Sequence, residues 1–241
     1  EGIFNQDSGL EYRPVDIISH SFFIEHPDVF FDFYKKKLCY PKAKPNRAHK
    51  ALVRLEKTGK LRSIITQNVD NLHQSAGSLK TIELHGSVYR NYCLSCGAKY
   101  DLSFVLESEG IPKCTACGGM VRPDIVLYEE HLNHANIDRA VADIEKADLL
   151  IIGGTSLTVY PAATFAQFLP HDRVVIINKS STYLDLQAML TIHDSIGSVL
   201  DASIPKKKRQ KSSADTIPNP ISDSSSEASD EDNNLIEGET T

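Results

Sequence analysis

Apolar residues recur at helical spacing in two stretches near the start of the chain. Pro27 can occupy the first position of one helix, and Asn46 can cap a second helix that ends before Gly59. The apolar face of each follows the three-to-four-residue repeat of a half-buried helix. Its members are Phe30, Phe33, Tyr34 and Leu38 in the first helix, and Ala48, Ala51, Leu52 and Leu55 in the second. The pattern predicts a helical module in this part of the chain.

Short runs of β-branched and aliphatic residues follow the two predicted helices. Residues 63–65, 149–152 and 174–177 each have the length of one buried strand. A helical stripe precedes the second run, and its members are Ile137, Ala140, Val141 and Ile144. Buried strands that alternate with helices indicate an α/β fold with a doubly wound, Rossmann-like parallel sheet.

All three predicted strands end in small or polar residues. Residues 66–68 follow the first strand, residues 153–156 follow the second, and Asn178 follows the third. Ligands of an open parallel sheet bind beyond the carboxyl ends of its strands. The glycines of the second turn allow backbone N–H groups to approach a phosphate, and Pro161 can open the next helix, whose positive end favours an anion. Each turn alone is a weak signal, but three at three strand ends predict a nucleotide site.

Four cysteines form two C-x-x-C pairs separated by seventeen residues, namely Cys93, Cys96, Cys114 and Cys117. This spacing allows two tight turns to direct four thiolates at one tetrahedral zinc ion. Two redox pairs are the alternative, but a redox C-x-x-C normally stands alone at the start of a helix. We therefore expect a structural zinc ribbon inserted between strands. Cys39 has no obvious partner and is expected to be an inert, packed thiol.

The composition fits an intracellular enzyme. The chain has 241 residues and 41% hydrophobic content, which is enough for one main domain with a small insert. No apolar stretch approaches the length of a membrane span, and no basic-then-apolar leader opens the chain. Unpaired metal-spaced cysteines favour a reducing compartment. We expect a soluble protein that is not secreted and does not bind a membrane.

The formal net charge of −6 is concentrated at the end of the chain. Residues 212–241 contain eight acidic residues and no Lys or Arg, so residues 1–211 carry a charge of +2. Too few large apolar side chains are present to order residues 201–241, which we expect to form a disordered, basic-then-acidic tail. Its basic cluster from Lys206 to Lys211 is typical of a nuclear-import signal, although a solvated charge run is the alternative. The expected location is cytoplasmic or nuclear.

Four motifs follow one another in a family-specific order. TQNVDNLH at residues 66–73 precedes LHG at residues 84–86, the four-cysteine ribbon, and GGTSLTVYPA at residues 153–162. In order and spacing they resemble the sirtuins, the NAD-dependent protein deacylases, and the surrounding residues resemble the prokaryotic branch. The resemblance covers roughly residues 1 to 200.

The resemblance, with the patterns above, divides the chain into four parts. Residues 1–58 form the helical module with a remnant of a cofactor loop, and residues 91–122 form the zinc-ribbon insertion. The Rossmann-like NAD-binding domain takes residues 59–90 and 123–200, and the tail follows from residue 201.

The resemblance also implies a reaction. NAD loses nicotinamide, and the acyl group of an acetyl-lysine protein or peptide passes to ADP-ribose. His85 matches the general base, because a neutral imidazole can take a proton from a ribose hydroxyl at cellular pH. Asn68 and Asp70 match the nicotinamide pocket. The remaining matches are NAD contacts at Gln67, Gly154, Thr155, Ser156, Asn178, Asp194 and Ser195, a peptide-pairing stretch at Val126, Leu127 and Tyr128, and structural support at His73.

Three departures from the family pattern carry expectations of their own. Sirtuins have a Gly-Ala-Gly phosphate loop before the residues matched here. Since this chain starts after that loop, we expect this fragment to bind NAD weakly or not at all, although the full-length protein would be an active deacylase. Family members that prefer acidic acyl groups carry Tyr-x-x-Arg, whereas Lys37 follows Tyr34 here, which favours acetyl-lysine. Tyr128-Glu129 stands where many members have Phe-Gly, which bears on peptide preference.

Two other functions stay open at this point. The ribbon and the acidic tail would also suit a catalytically silent, zinc-dependent protein-binding module. Protein ADP-ribosyl transfer would use the same chemistry at the ribose with a different acceptor. Nucleic-acid binding is not expected, because Lys99 and Lys113 are a sparse basic set around the ribbon.

Overall fold

The computed structural model describes residues 12–160 and 162–206. Several expectations lie outside these residues: the first residues of the chain, Pro161 as the start of a helix, and the tail beyond Lys206 with most of its basic cluster. Residues 207–241 lie outside the described part. In the described residues, no helix is both long enough and apolar enough to cross a membrane.

Three short helices open the described part of the chain: α1 (Pro14–Ile17), α2 (His20–Glu25) and α3 (Pro27–Phe33). Pro27 starts α3 as predicted, but the helix widens into a π-helical turn at Tyr34–Leu38. The aromatic rings of Phe23, Phe30, Phe31 and Tyr34 contact one another at centroid distances of 4.8 to 6.4 Å. This ring cluster is the centre of the helical module.

Helix α4 (Arg47–Lys57) confirms the predicted capping by Asn46. The Asn46 side chain accepts hydrogen bonds from the backbone N–H groups of Ala48 at 2.8 Å and His49 at 3.3 Å. The His49 ring returns to the Asn46 backbone N–H at 3.3 Å, which completes a capping box. Ala48 and Ala51 are buried against α8 (Ile196–Ser203).

Five strands run parallel and form two sheets in the described residues. β1 (Ile64–Thr66) pairs with β2 (Thr81–Glu83), and β7 (Val174–Ile177) lies between β6 (Leu150–Gly153) and β8 (Leu190–Ile192). The predicted strands are present, but within the described residues the hydrogen-bond ladder does not join β1 to the other two predicted strands. Ile65 and Leu150 nevertheless pack in one hydrophobic cluster with α7 (His134–Glu145).

The cysteine segment forms an antiparallel sheet in the order β4-β3-β5, with β3 (Gly86–Cys93), β4 (Lys99–Tyr100) and β5 (Val121–Ile125). Helix α6 (Leu102–Glu107) packs beside β3, and the short helix α5 (Leu72–Ser75) follows β1. Buried residues of β3 and β5 belong to the same hydrophobic cluster as Phe30 and Phe31. The ribbon and the helical module therefore share one core. The remaining helical turns are of 3₁₀ type, at Ala162–Phe168 and His171–Arg173.

Candidate active site and metal centre

His85 lies where β1 and β2 end side by side. Thr66 is the register partner of Glu83, and the backbone N–H of Leu84 donates to the Thr66 carbonyl at 2.9 Å. The next residue, His85, is half-buried, and its Nδ1 lies 3.0 Å from the Gln67 carbonyl oxygen. A carbonyl oxygen can only accept, so Nδ1 carries the proton and Nε2 keeps its lone pair. This tautomer makes Nε2 a proton acceptor.

The surroundings of His85 keep its imidazole neutral. Burial lowers the pKa of His85, and the hydrogen bond to Gln67 opposes that change. Gly86 follows in a left-handed conformation at φ 75°, and a Cβ placed there would clash with the Asp124 carbonyl oxygen. Close pairing of β3 with β5 next to the histidine therefore requires glycine at this position.

The β1–α5 loop brings the predicted nicotinamide-pocket residues close to His85. The Asn68 backbone N–H donates to Thr66 Oγ1 at 3.1 Å, and the Leu72 N–H donates to the Asp70 carboxylate at 2.9 Å. Asn71 takes a left-handed conformation at φ 58°, which a short polar residue tolerates. The fold thus gathers Gln67, Asn68, Asp70 and His85 at one end of the first parallel sheet.

Sequence reasoning does not single out His49, which the fold places beside this loop. His49 is 7% exposed, and its ring lies 4.6 Å from the ring of His73, centroid to centroid. The Nδ1 atom of His73 is buried and has no hydrogen-bond partner in the described part of the chain. Burial and, to a smaller extent, the nearby His49 lower the pKa of His73 from 6.5 to about 4, and Asp70 opposes the change. The three-residue spacing between Asn46 and His49, which suits a capping box, was the sequence pattern that could have indicated His49.

This buried pair predicts a stability loss in acid. Between pH 6.5 and about 4, His73 is protonated in the unfolded chain but stays neutral in the folded chain. The free energy of unfolding therefore falls as the pH falls. One such group changes the free energy of unfolding by at most about 1.4 kcal/mol per pH unit, and by less here because His73 is partly exposed. His73→Gln is expected to flatten this part of the curve. Urea unfolding at several pH values tests it, with exposed His134→Gln as the control, and parallel curves for His73→Gln and the unchanged protein would contradict it.

A second group of predicted NAD contacts lies at the carboxyl ends of β6, β7 and β8. Gly153, Ile177 and Ile192 are register partners across these strands, so the residues that follow them meet at one edge. The fold thereby brings together six of the predicted residues: Gly154, Thr155, Ser156, Asn178, Asp194 and Ser195.

This edge is suited to a nucleotide. Gly154 has φ 65°, and a Cβ built there would meet no atom within 4 Å, so the backbone is open to a close approach. Hydroxyl groups surround it: Thr155 Oγ1 accepts the Leu157 N–H at 3.1 Å, and Ser156 Oγ lies 2.7 Å from Thr158 Oγ1. Open backbone and clustered hydroxyl groups are what a diphosphate or ribose requires. The residues present therefore fit the NAD that the resemblance implies.

The predicted peptide-pairing stretch connects the two parts of the site. Val126 N–H donates to the His85 carbonyl at 3.0 Å, and Leu127 N–H donates to the Glu130 carboxylate at 2.9 Å. Tyr128 pairs in parallel with the start of α2, giving its N–H to Ile18 and accepting from His20. All three N–H groups are thus used within the chain, and the Tyr128 side chain is 45% exposed. Glu130 and its partner Arg122 were missed, since a lone Glu and a lone Arg carry no sequence signal.

The four predicted zinc ligands converge on one point. The sulfur atoms of Cys93, Cys96, Cys114 and Cys117 all lie within 4.8 Å of one another, with separations of 3.5 and 3.6 Å for the closest pairs. Zinc–sulfur bonds of about 2.3 Å in a tetrahedron place the sulfurs about 3.8 Å apart. The described cysteines form no disulfides. The donor set fits a structural zinc ion, and four thiolates leave no position for a substrate.

Tyr100 orients one of these ligands. Its hydroxyl donates to Cys114 Sγ at 3.0 Å and accepts the Thr115 backbone N–H at 3.0 Å. The hydrogen bond from Tyr100 lowers the pKa of Cys114 to about 6, which favours the thiolate form that binds metal. The convergence of all four sulfur atoms on one point supports a zinc site with four cysteine ligands over two separate redox pairs.

The sequence matches a known family over most of its length. The model of the Sir2 family matches residues 1–161. The chain belongs to the Sir2 family. Two curated relatives named NAD-dependent protein deacetylase come from Clostridium tetani and Clostridium perfringens. The first is 55% identical over 201 residues, covering 83% of this chain and 81% of the relative, and the second is 56% identical over 200 residues, covering 83% and 82%.

Solved Sir2 structures share the fold. A crystal structure of a Sir2 homologue in complex with NAD superposes with a TM-score of 0.76 at 34% identity, covering 83% of this chain and 80% of that one. A structure of Sir2 bound to acetylated peptide gives a TM-score of 0.73 at 36% identity, covering 78% and 81%. The resemblance read from the motifs is confirmed.

Proposed function

We propose that this Sir2 family member is an NAD-dependent protein deacetylase of sirtuin type. It transfers the acetyl group of acetyl-lysine to ADP-ribose and releases nicotinamide. The observation that carries this function is the tautomer of His85: Nδ1–H is committed to the Gln67 carbonyl, which leaves Nε2 as a base. The activity in the names of the Clostridium relatives supports it.

Each group of residues takes one part of the reaction. When bound, NAD supplies the ribose that receives the acyl group. His85 Nε2 accepts a proton from a ribose hydroxyl, while Asn68 and Asp70 hold the nicotinamide side with an amide and a carboxylate. Gln67 contacts the same ribose. The edge at the carboxyl ends of β6, β7 and β8 holds the diphosphate and adenosine through six residues: Gly154, Thr155, Ser156, Asn178, Asp194 and Ser195.

The acyl-lysine peptide contacts the stretch Val126–Tyr128. Since the N–H groups of this stretch already donate within the chain, the peptide donates its own N–H groups to carbonyl oxygens of the stretch and packs on the exposed Tyr128 ring, or it displaces the pairing of Tyr128 with Ile18.

Acetyl-lysine is the preferred substrate class. Tyr34 is fully buried, and its hydroxyl faces the Val88 carbonyl at 3.5 Å within the aromatic cluster. The Tyr34 hydroxyl is thus engaged inside the core, and Lys37 lacks the planar fork that binds a carboxylate. Both observations argue against a succinyl-lysine preference.

The division of the chain at residues 58, 90 and 122 belongs to this proposal. So does a reducing, cytoplasmic or nuclear location, which the free cysteines support. The predicted start of the tail at residue 201 is wrong, because α8 continues to Ser203 and Ile204 is buried beside it. Lys206, the described residue of the predicted import cluster, lies 2.9 Å from Asp201.

Product analysis tests the function. The protein is incubated with NAD at a saturating concentration and either an acetyl-lysine or a succinyl-lysine peptide, and the products are separated by mass spectrometry. We expect free nicotinamide, acetyl-ADP-ribose and unmodified lysine, with slower turnover of the succinyl peptide. ADP-ribosylated protein without deacetylation would instead favour the transferase, and absence of nicotinamide release would favour the silent zinc module.

A further inference from the structure

An ion pair between a buried arginine and a partly buried glutamate lies beside the proposed peptide stretch. Arg122 on β5 is 6% exposed, and two of its nitrogens contact the two carboxylate oxygens of Glu130 at 2.6 and 3.1 Å. The arginine also donates to the Pro123 carbonyl at 3.2 Å and the Ile125 carbonyl at 2.9 Å. Such a two-point contact fixes the orientation of the carboxylate as well as its distance.

The arginine has little freedom to move. Its guanidinium lies 5.2 Å from the ring centre of Phe23 and 6.0 Å from that of Tyr92, so it is held between the helical module and the ribbon sheet. The immobilised guanidinium of Arg122 therefore fixes the position of the Glu130 carboxylate.

The carboxylate of Glu130, held in place by Arg122, contacts the peptide stretch and the start of α2. Its Oε2 accepts the Leu127 N–H at 2.9 Å, and its Oε1 lies 2.8 Å from His20 Nδ1, at the start of α2. His20 in turn donates its backbone N–H to the Tyr128 carbonyl at 3.0 Å. One side chain thus joins β5, the proposed peptide stretch and the first residue of α2.

Folding stability alone does not explain why an ion pair occupies this position. A buried ion pair gives up hydration, and apolar residues of similar size are often at least as stable in its place. The pair does what apolar residues could not do, because it supplies an acceptor for the Leu127 N–H at a defined point. An open cavity of about 370 Å³ is lined by Tyr128, the last residue of the stretch, together with Ser19 and Phe22 among others. Glu130 thus holds the stretch at Leu127, while Tyr128 at its end stays accessible from the cavity.

We propose that Glu130, oriented by Arg122, is a positioning residue for the acyl-lysine peptide. It rests on the proposed function, because the stretch it holds is the proposed peptide contact. Glu130 touches neither the NAD edge nor His85. Its loss should weaken peptide binding while the proton transfer at His85 and the NAD contacts continue.

Steady-state kinetics separate this role from a merely structural one. Glu130→Gln is expected to raise KM for an acetyl-lysine peptide about tenfold, with KM for NAD and kcat changed by less than about threefold. The matched control is Asp201→Asn, which removes the Arg54–Asp201 ion pair at 2.9 Å between α4 and α8. It should leave both KM values unchanged.

A double variant covers the possibility that Glu130→Gln unfolds. Arg122→Met with Glu130→Leu replaces the pair by apolar side chains and should restore the melting temperature without restoring the peptide KM. Recovery of the peptide KM together with stability would overturn the proposal. An unchanged peptide KM in Glu130→Gln would also overturn it.

Binding of a fluorescent acetyl-lysine peptide, followed by anisotropy, distinguishes failure of this inference from failure of the proposed function. If the unchanged protein binds the peptide without turning it over and Glu130→Gln binds about tenfold more weakly, the positioning role stands and the deacetylase function fails. If the unchanged protein binds no peptide, both fail.

Discussion

His85→Ala is expected to lower the rate of deacetylation by about 10² to 10⁴-fold, which is the usual worth of a positioned general base. The structure gives the reason: Nε2 of His85 is an unprotonated acceptor because Nδ1–H is held by the Gln67 carbonyl at 3.0 Å. Burial lowers the pKa of His85, so the base stays neutral to lower pH than a free histidine. Nicotinamide release and peptide deacetylation, measured on the same samples, test the prediction.

The control for this substitution is His134→Ala, an exposed position at the start of α7. It should keep full activity. His85→Ala itself should keep its zinc and its melting temperature, because the ring is half-buried and makes one hydrogen bond to a loop carbonyl. Activity within about threefold of the unchanged protein would remove His85 from the mechanism.

Cys114→Ser is expected to release the zinc and to destabilise more than the ribbon. Cys114 is 4% exposed and belongs to the hydrophobic cluster that also contains Phe23, Phe30 and Val121. Losing the metal therefore loosens the core shared with the helical module. A loss of about 4 kcal/mol or more lowers the melting temperature by roughly 10 °C in a domain of this size. Metal analysis and thermal unfolding measure both effects.

Cys39→Ala is the matched control, because it removes a buried thiol that lies outside the four-cysteine cluster. This variant should retain about one zinc per chain and lose little stability. Full zinc content in Cys114→Ser would show that the four sulfurs do not form the metal site.

Local elements were predictable because their signals are local. Asn46 begins a capped helix since its side chain can reach the N–H groups two and three residues ahead. The strands β1, β6 and β7 were visible as aliphatic runs, whereas polar residues interrupt β2 (Thr-Ile-Glu) and β8 (Leu-Thr-Ile). The π-helical turn after Phe33 was also missed, since the helical repeat of apolar residues continues through it.

The candidate site was predictable only in part. Motif resemblance identified Gln67, Asn68, Asp70 and His85, and the fold gathers them at the end of the first sheet. The motif resemblance gave no indication of His49 or of the Arg122–Glu130 pair, because what matters in each is a contact with side chains of other elements. His49 meets a ring 24 positions further along the chain, and Arg122 is held between two aromatic side chains from different elements.

The sequence by itself determined the zinc site, the capped helix, the buried strands and the family, since spacing and local pattern suffice for these. The tertiary structure decided which nitrogen of His85 carries the proton, how the parallel strands divide into two sheets, and what holds Val126–Tyr128 in place. These depend on distances between groups remote in the chain. Packing sets such distances, and no local pattern encodes them.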